Sequence, residues 1–328
     1  MKNTRLTVLT EPVPKLPAGP AAFIKSALRP LKYFLIGKPR PVKKKFGGHQ
    51  AVTRSLLEGL RTIRADFNYN PANDDNIFEN VIVLSGPETL RKAISLKEHG
   101  KIKFLLAGPN ISDSVLDEDQ IVGHPAVDFF VVPASWVEFN VVKQLPVLEN
   151  RVLCWPAGVN TANWTPQKKA SGKNVVVYWK TEDEQFCGAV EDVLKGHGYT
   201  PIRIRYGNYH PSQYRTALNA SDFAVFISRS ESQGMALAEA WAMEVPTLVW
   251  DPGELTVKGT VFEKVSACPY LSAETGKRWV TIEELDQLVA TYSRYSAQFK
   301  PRAYTIGLFS DEVCAQALLN FISLNTKH

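Results

Sequence analysis

Along most of this chain short apolar runs alternate with stretches of helical spacing, and that alternation restricts the fold more tightly than any other feature. The runs occupy residues 81–84, 104–107, 129–132, 152–155, 175–178, 202–204, 223–227 and 247–249. Strands that alternate with helices build βαβ units, which assemble into a parallel sheet with helices on its faces. Eight such runs are too many, and too evenly spread, for one small sheet. The 328 residues suffice for two cores of about 150 residues each. Between the runs, Ala51, Val52, Leu56, Leu57 and Leu60 fall on one helical stripe, and Thr281 with Glu284 forms a capping box opening a helix that runs past Leu288. The expected fold class is therefore α/β, with two domains whose parallel sheets face a central cleft, the default place for a ligand.

A turn-rich stretch over 156–166 places the boundary near residue 150. Residues 46–150 then form the first domain and 151–306 the second, and a helix over about 307–328 is expected to pack back on the first. Residues 1–45 differ in kind: they hold eleven Lys and Arg against one acid, Glu11, and seven of the 21 prolines, while the rest of the chain is net acidic. They read as an extended basic arm with a candidate first strand at 6–9. Within it, Lys25, Arg29 and Lys32 recur at helical spacing beside apolar residues, interrupted by Pro30. Residues 21–45 thus fit either peripheral contact with an anionic membrane surface or a solvated arm packed on its own domain. No nucleic-acid recognition motif accompanies the arm, so no nucleic-acid partner is expected. With no run of 18 uncharged apolar residues and no secretory pattern after Met1, a cytoplasmic protein, at most peripheral to a membrane, is expected. Cys154, Cys187, Cys268 and Cys314 are too dispersed for a zinc pattern or a disulfide framework and read as reduced, mostly buried thiols.

The richest stretch runs from Asp222 to Trp250. An apolar strand ends at Ser228, a polar loop carries Glu231 and Gly234, a helix follows with Glu239, and Pro246 precedes the next strand. A loop at the carboxyl edge of a parallel strand, with free backbone amides at the next helix start, suits a phosphate, and Gly234 lets backbone approach a ligand. Glu231 could then meet a sugar hydroxyl and Glu239 the vicinal hydroxyls of a ribose, since a carboxylate only accepts. Spacing alone fits equally two solvated acids on a helix face.

This segment resembles the Glu-x7-Glu motif of retaining, family-4-type glycosyltransferases of the GT-B fold, which has two Rossmann-like domains. Ile227-Ser228-Arg229-Ser230-Glu231-Ser232-Gln233-Gly234, then Glu239-Ala240 and Glu244-Val245-Pro246, fall in register with it. Pro156-Ala157-Gly158-Val159-Asn160 through Pro166 resembles the linker of that family, and Phe46-Gly47-Gly48-His49 its glycine-rich loop before a helix. The resemblance implies transfer of a sugar from a nucleotide-diphosphate donor to a hydroxyl acceptor, a glycan or glycolipid, with retention and with neither cofactor nor metal. It implies catalytic roles for Glu231, Lys180 and His49, and donor contacts from Gly47, Gly48, Ser228, Arg229, Ser232, Gln233, Gly234, Met235, Ala236 and Glu239.

The family carries two cations after the first strand of its second domain, where this chain has Lys180 alone beside Glu182, Asp183 and Glu184. Arg229 or Lys258 is the candidate replacement. A second reading therefore stands beside the enzyme: a catalytically weak or inactive relative that binds a nucleotide and acts as a regulatory module. Asp117-Glu118-Asp119 matches the metal-binding Asp-x-Asp of the other common glycosyltransferase fold, but no convincing strand precedes it.

Overall fold

The computed structural model describes residues 4–11, 48–167, 172–257 and 259–326. The arm over 21–45, Gly47 and Lys258 lie outside the described residues, as does the side chain of His49.

The first domain is a six-stranded, all-parallel sheet. In chain order its elements are β1 (Leu6–Leu9), α1 (Gly48–Thr62), β2 (Phe67–Tyr69), β3 (Asn80–Ser85), α2 (Pro87–Glu98), β4 (Phe104–Asn110), β5 (Phe129–Val132), α3 (Ser135–Gln144) and β6 (Val152–Cys154). Across the sheet they run β2-β1-β3-β4-β5-β6, so the strand order reverses between β1 and β3. Both faces are covered, one by α1 and the other by α2, and the apolar residues of β1, β3 and β4 are buried on both: Leu6, Val8, Ile82, Leu84 and Leu106 toward α1, and Leu9, Val81, Val83, Leu105 and Ala107 toward α2. The predicted stripe of α1 packs as expected, with Val52, Leu56, Leu57 and Leu60 buried against Leu6, Val8, Ile82 and Leu84.

The second domain repeats this plan with β7 (Asn174–Trp179), α4 (Glu184–Gly196), β8 (Thr200–Arg205), α5 (Pro211–Asn219), β9 (Ser221–Ile227), α6 (Met235–Ala242), β10 (Thr247–Trp250), the hairpin β11 (Leu255–Val257) and β12 (Thr260–Phe262), β13 (Gly276–Trp279) and α7 (Ile282–Ala290). Its parallel sheet has the order β13-β10-β9-β7-β8 and reverses between β7 and β9. Ligands of open α/β sheets bind outside the carboxyl ends of strands at such a reversal. Thr281 caps α7 by accepting from Glu284 N at 3.2 Å. The return half of the box goes one residue further back, where Glu284 accepts from Val280 N at 2.7 Å.

After a single turn, α8 (Tyr292–Tyr295), the chain forms α9 (Pro301–Phe309) and α10 (Asp311–Asn325). The last helix lies on α1: Cys314, Ala315, Leu318, Leu319 and Ile322 are buried in the core of the first domain. Two crossings therefore join the domains, and they touch. Val159 N donates to Phe309 O at 2.7 Å, and Asp311 N donates to Val159 O at 3.2 Å. Glycine makes this approach feasible, since a Cβ at Gly158 would stand 2.5 Å from Asp311 Cα and one at Gly59 only 2.1 Å from Asp311 O.

Candidate functional site

The reversal between β7 and β9 sets Lys180 and Ser228 side by side, each being the first residue past its strand. Lys180 Nζ donates to Glu231 Oε1 at 2.8 Å, and the Ser228 hydroxyl lies 3.2 Å from the same oxygen. The ammonium also sits 5.0 Å from the centre of the Tyr206 ring. Glu231 is held from the other domain as well, because Trp136 Nε1 on α3 donates to its backbone oxygen at 3.0 Å. The loop carrying Glu231 thus lines the interdomain crevice.

Gly234 ends that loop in the left-handed region, φ 85°, and starts α6. A Cβ there would meet Leu237 Cδ1 at 2.7 Å, so the turn into the helix needs glycine. The first amides of a helix have no partner within it, and Met235 and Ala236 bring two of them to this end of the crevice. Glu239 lies one turn from Ala236 on the same face. Its carboxylate has no hydrogen bond among the described residues. Burial pushes it up to about 8, against the pull of Arg54 on α1 and Arg215 on α5. Part of the side chain still meets solvent. Tyr209 lies within electrostatic reach of both Glu239 and Glu231.

Two expected donor contacts are engaged elsewhere. Arg229 pairs with Glu182, donating to Oε2 at 3.1 Å, and lies over the Trp250 ring, because the left-handed turn at Glu182 lays that carboxylate beside it. Gln233 is buried, and its amide clasps Ala157 of the linker, accepting from Ala157 N at 2.9 Å and donating to Ala157 O. Its place is scaffolding between the linker and α6. Ser232 is exposed at the loop tip. Gly48 begins α1, with backbone amides at the helix start. In the Asp117-Glu118-Asp119 run, Asp117 accepts from Ser114 N at 2.9 Å and Glu118 pairs with Arg91 at 2.7 Å. No group of three or more His, Cys, Asp or Glu suited to a metal ion occurs among the described residues.

No protein-family model matches the sequence, and no curated relative does. Solved structures do. A glycosyltransferase from Rickettsia africae is 12% identical and superimposes with a TM-score of 0.58, covering 99% of this chain and 100% of its own. This chain has the GT-B fold. Sucrose-phosphate synthase from Thermosynechococcus elongatus, 11% identical, shares that fold with a TM-score of 0.53 over 98% of this chain and 99% of its own. So does HepE of Anabaena, solved with UDP and glucose, at 9% identity and a TM-score of 0.51 over 97% and 99% of the two chains. Of the residues the resemblance singles out, the structure groups Lys180, Ser228 and Glu231 at the ends of β7 and β9, with Gly234 and Glu239 following in the same loop and helix. The sequence reading did not single out Arg54, Arg215, Trp136 or Tyr209, which lie near them and whose only local signals are ordinary helix and loop positions.

Proposed function

We propose that this protein moves a sugar from a nucleotide-diphosphate donor to a hydroxyl acceptor, a glycan or glycolipid, with retention and without a metal. One observation carries the reading: the backbone of Glu231 accepts a hydrogen bond from Trp136 of the first domain, and Glu239, eight residues on, is within electrostatic reach of Arg54 on α1. Glu231 lies at the strand ends, where a sugar hydroxyl would be held, and Glu239 at the floor, where it would accept from a ribose diol. When the bond from the sugar to the diphosphate breaks, negative charge grows on the departing phosphate. Lys180 and the free amides at the starts of α6 and α1, including those after Gly47 and Gly48, answer that charge. His49 at the start of α1 is the proposed acid or base, its ordinary pKa lying near 6.5. Peripheral contact of residues 21–45 with an anionic membrane belongs to the same proposal; no helix among the described residues is long and apolar enough to cross a membrane.

The test is a thermal-shift screen of nucleoside diphosphates and nucleotide sugars, beginning with UDP and UDP-glucose, on wild type and Glu239→Ala. One nucleotide should raise the wild-type midpoint by several degrees while the variant loses most of the gain; equal shifts in both proteins would refute the ribose role. The second reading, a nucleotide-binding protein without turnover, draws on the ion pairs that occupy Lys180 and Arg229. Slow hydrolysis of the bound nucleotide sugar by wild type, lost in Glu231→Gln, decides for the enzyme.

A further inference from the structure

The acidic run after β7, Glu182-Asp183-Glu184, is the part of the site that the proposed function leaves unused. Its members have different partners. Asp183 caps α4, accepting from Phe186 N at 2.8 Å, and Glu184 pairs with Arg203 of β8. Glu182 reaches across to the end of β9, where its carboxylate meets the Arg229 guanidinium at two points, Nε to Oε1 at 2.5 Å and Nη2 to Oε2 at 3.1 Å. The backbone holds that pose. Lys180 N and Thr181 N donate to Ile227 O at 3.0 and 3.4 Å, Arg229 N donates to Thr181 Oγ1 at 3.0 Å, and Trp179 Nε1 donates to Glu182 O at 3.0 Å. Glu182 itself sits in the left-handed region, φ 74°, which a residue with a Cβ adopts only at a cost. Its side chain is 18% exposed and that of Arg229 46%, so the acid is packed in while the guanidinium keeps an open side.

Lys180 and Arg229 follow the carboxyl ends of β7 and β9, where the strand order reverses and where an open α/β sheet takes an anionic ligand. Each is matched by a glutamate, Lys180 by Glu231 at 2.8 Å and Arg229 by Glu182. A phosphate entering here therefore meets two cations that are both engaged. A guanidinium presents the same pair of N–H groups to a carboxylate as to a phosphate, so Glu182 and a phosphate exclude one another at Arg229. Because Glu182 is tethered beside the fork, it competes at high effective concentration. We propose that Glu182 is an internal competitor for the donor's diphosphate, holding Arg229 in the ligand-free protein and yielding it to the phosphates when a donor binds. Arg229 is then the second cation on the diphosphate, and the acid two residues beyond Lys180 sets how much donor is needed to recruit it. The proposal rests on the nucleotide-binding reading above and adds to it a restraint that the glutamate motif does not contain.

The experiment is calorimetry with the tightest ligand among UDP, GDP and ADP, and with its nucleoside, on wild type, Glu182→Gln, Glu182→Asp, Glu184→Gln and the double variant Glu182→Gln/Arg229→Gln. Glutamine replaces the charged partner of Arg229 by a neutral one of the same shape, so Glu182→Gln should bind the diphosphate about tenfold tighter while its nucleoside affinity stays within about twofold of wild type. Aspartate keeps the charge and tolerates the left-handed backbone but falls one methylene short of the fork, so Glu182→Asp should fold and gain a smaller factor, about threefold. Glu184→Gln removes the same formal charge two residues on and leaves the Arg229 pair intact, so its affinities should stay within about twofold of wild type; a gain equal to that of Glu182→Gln would mark a general field effect and overturn the proposal. The double variant lacks the released guanidinium and should lose the whole gain. The proposal also falls if neither Glu182 variant binds the diphosphate more tightly than wild type, if the nucleoside gains as much as the diphosphate, or if the double variant keeps the gain. Failure of all five proteins to bind any of the three diphosphates overturns the nucleotide reading itself, and the proposal with it.

Discussion

Burial pushes two carboxyls far from their ordinary range, Glu239 to about 8 and Asp311 to about 7. Asp311 is 2% exposed, with both oxygens unpartnered, where the two interdomain crossings meet. In the unfolded chain both groups ionise near pH 4, so between about pH 4 and 8 the folded protein binds more protons than the unfolded one. Stability must fall as pH rises through that window and level off above it. Thermal midpoints of the ligand-free protein should follow that slope, and Asp311→Asn should flatten it while gaining about 1–3 kcal/mol at pH 8. Gln233→Ala should do the reverse at every pH, costing about 2–4 kcal/mol in denaturant titrations, because it strips two buried bonds from Ala157. At this scale the sequence revealed what local spacing carries. The two glutamates share one loop and helix and were legible together. Arg54, Arg215 and Glu239 come from three separate helices, and only tertiary packing brings them together.

The junction of β9 and α6 is the element whose geometry matters most to the proposed site. Gly234→Ala places a side chain at φ 85° and against Leu237, so it should cost about 1–3 kcal/mol and weaken nucleotide binding beyond what the loss of stability explains, as calorimetry on the folded fraction would show. Helix α3 holds the other wall. Asn140 clasps Glu263 through both backbone groups, Nδ2 to O at 2.7 Å and N to Oδ1 at 3.0 Å, next to the Trp136 bond to Glu231. Asn140→Ala should loosen that wall and raise the radius of gyration of the ligand-free protein in X-ray scattering; an unchanged profile would mean the two crossings hold the domains unaided. All eight apolar runs became strands, since an apolar run between turns has few other fates in a parallel sheet. The strands without such a signal are those at edges or on the rim. Among them β2 is three residues long, β13 reads Gly-Lys-Arg-Trp, and the hairpin β11–β12 leaves Val257 and Val261 exposed.

For the whole molecule, the second sheet is continuous in sequence while the first core is not. Leu318 and Ile322 of α10 are fully buried beside Leu56 and Leu60 of α1. Leu318→Ala should therefore destabilise the first domain by about 2–5 kcal/mol, and a chain ending before α10 should expose that face and bind a hydrophobic dye. The same arrangement sets a timetable for synthesis. α1 and β3 are synthesised long before α10, so the first core cannot close until that helix has emerged. The part built first is finished last, and until α10 arrives the apolar stripe of α1 has no cover.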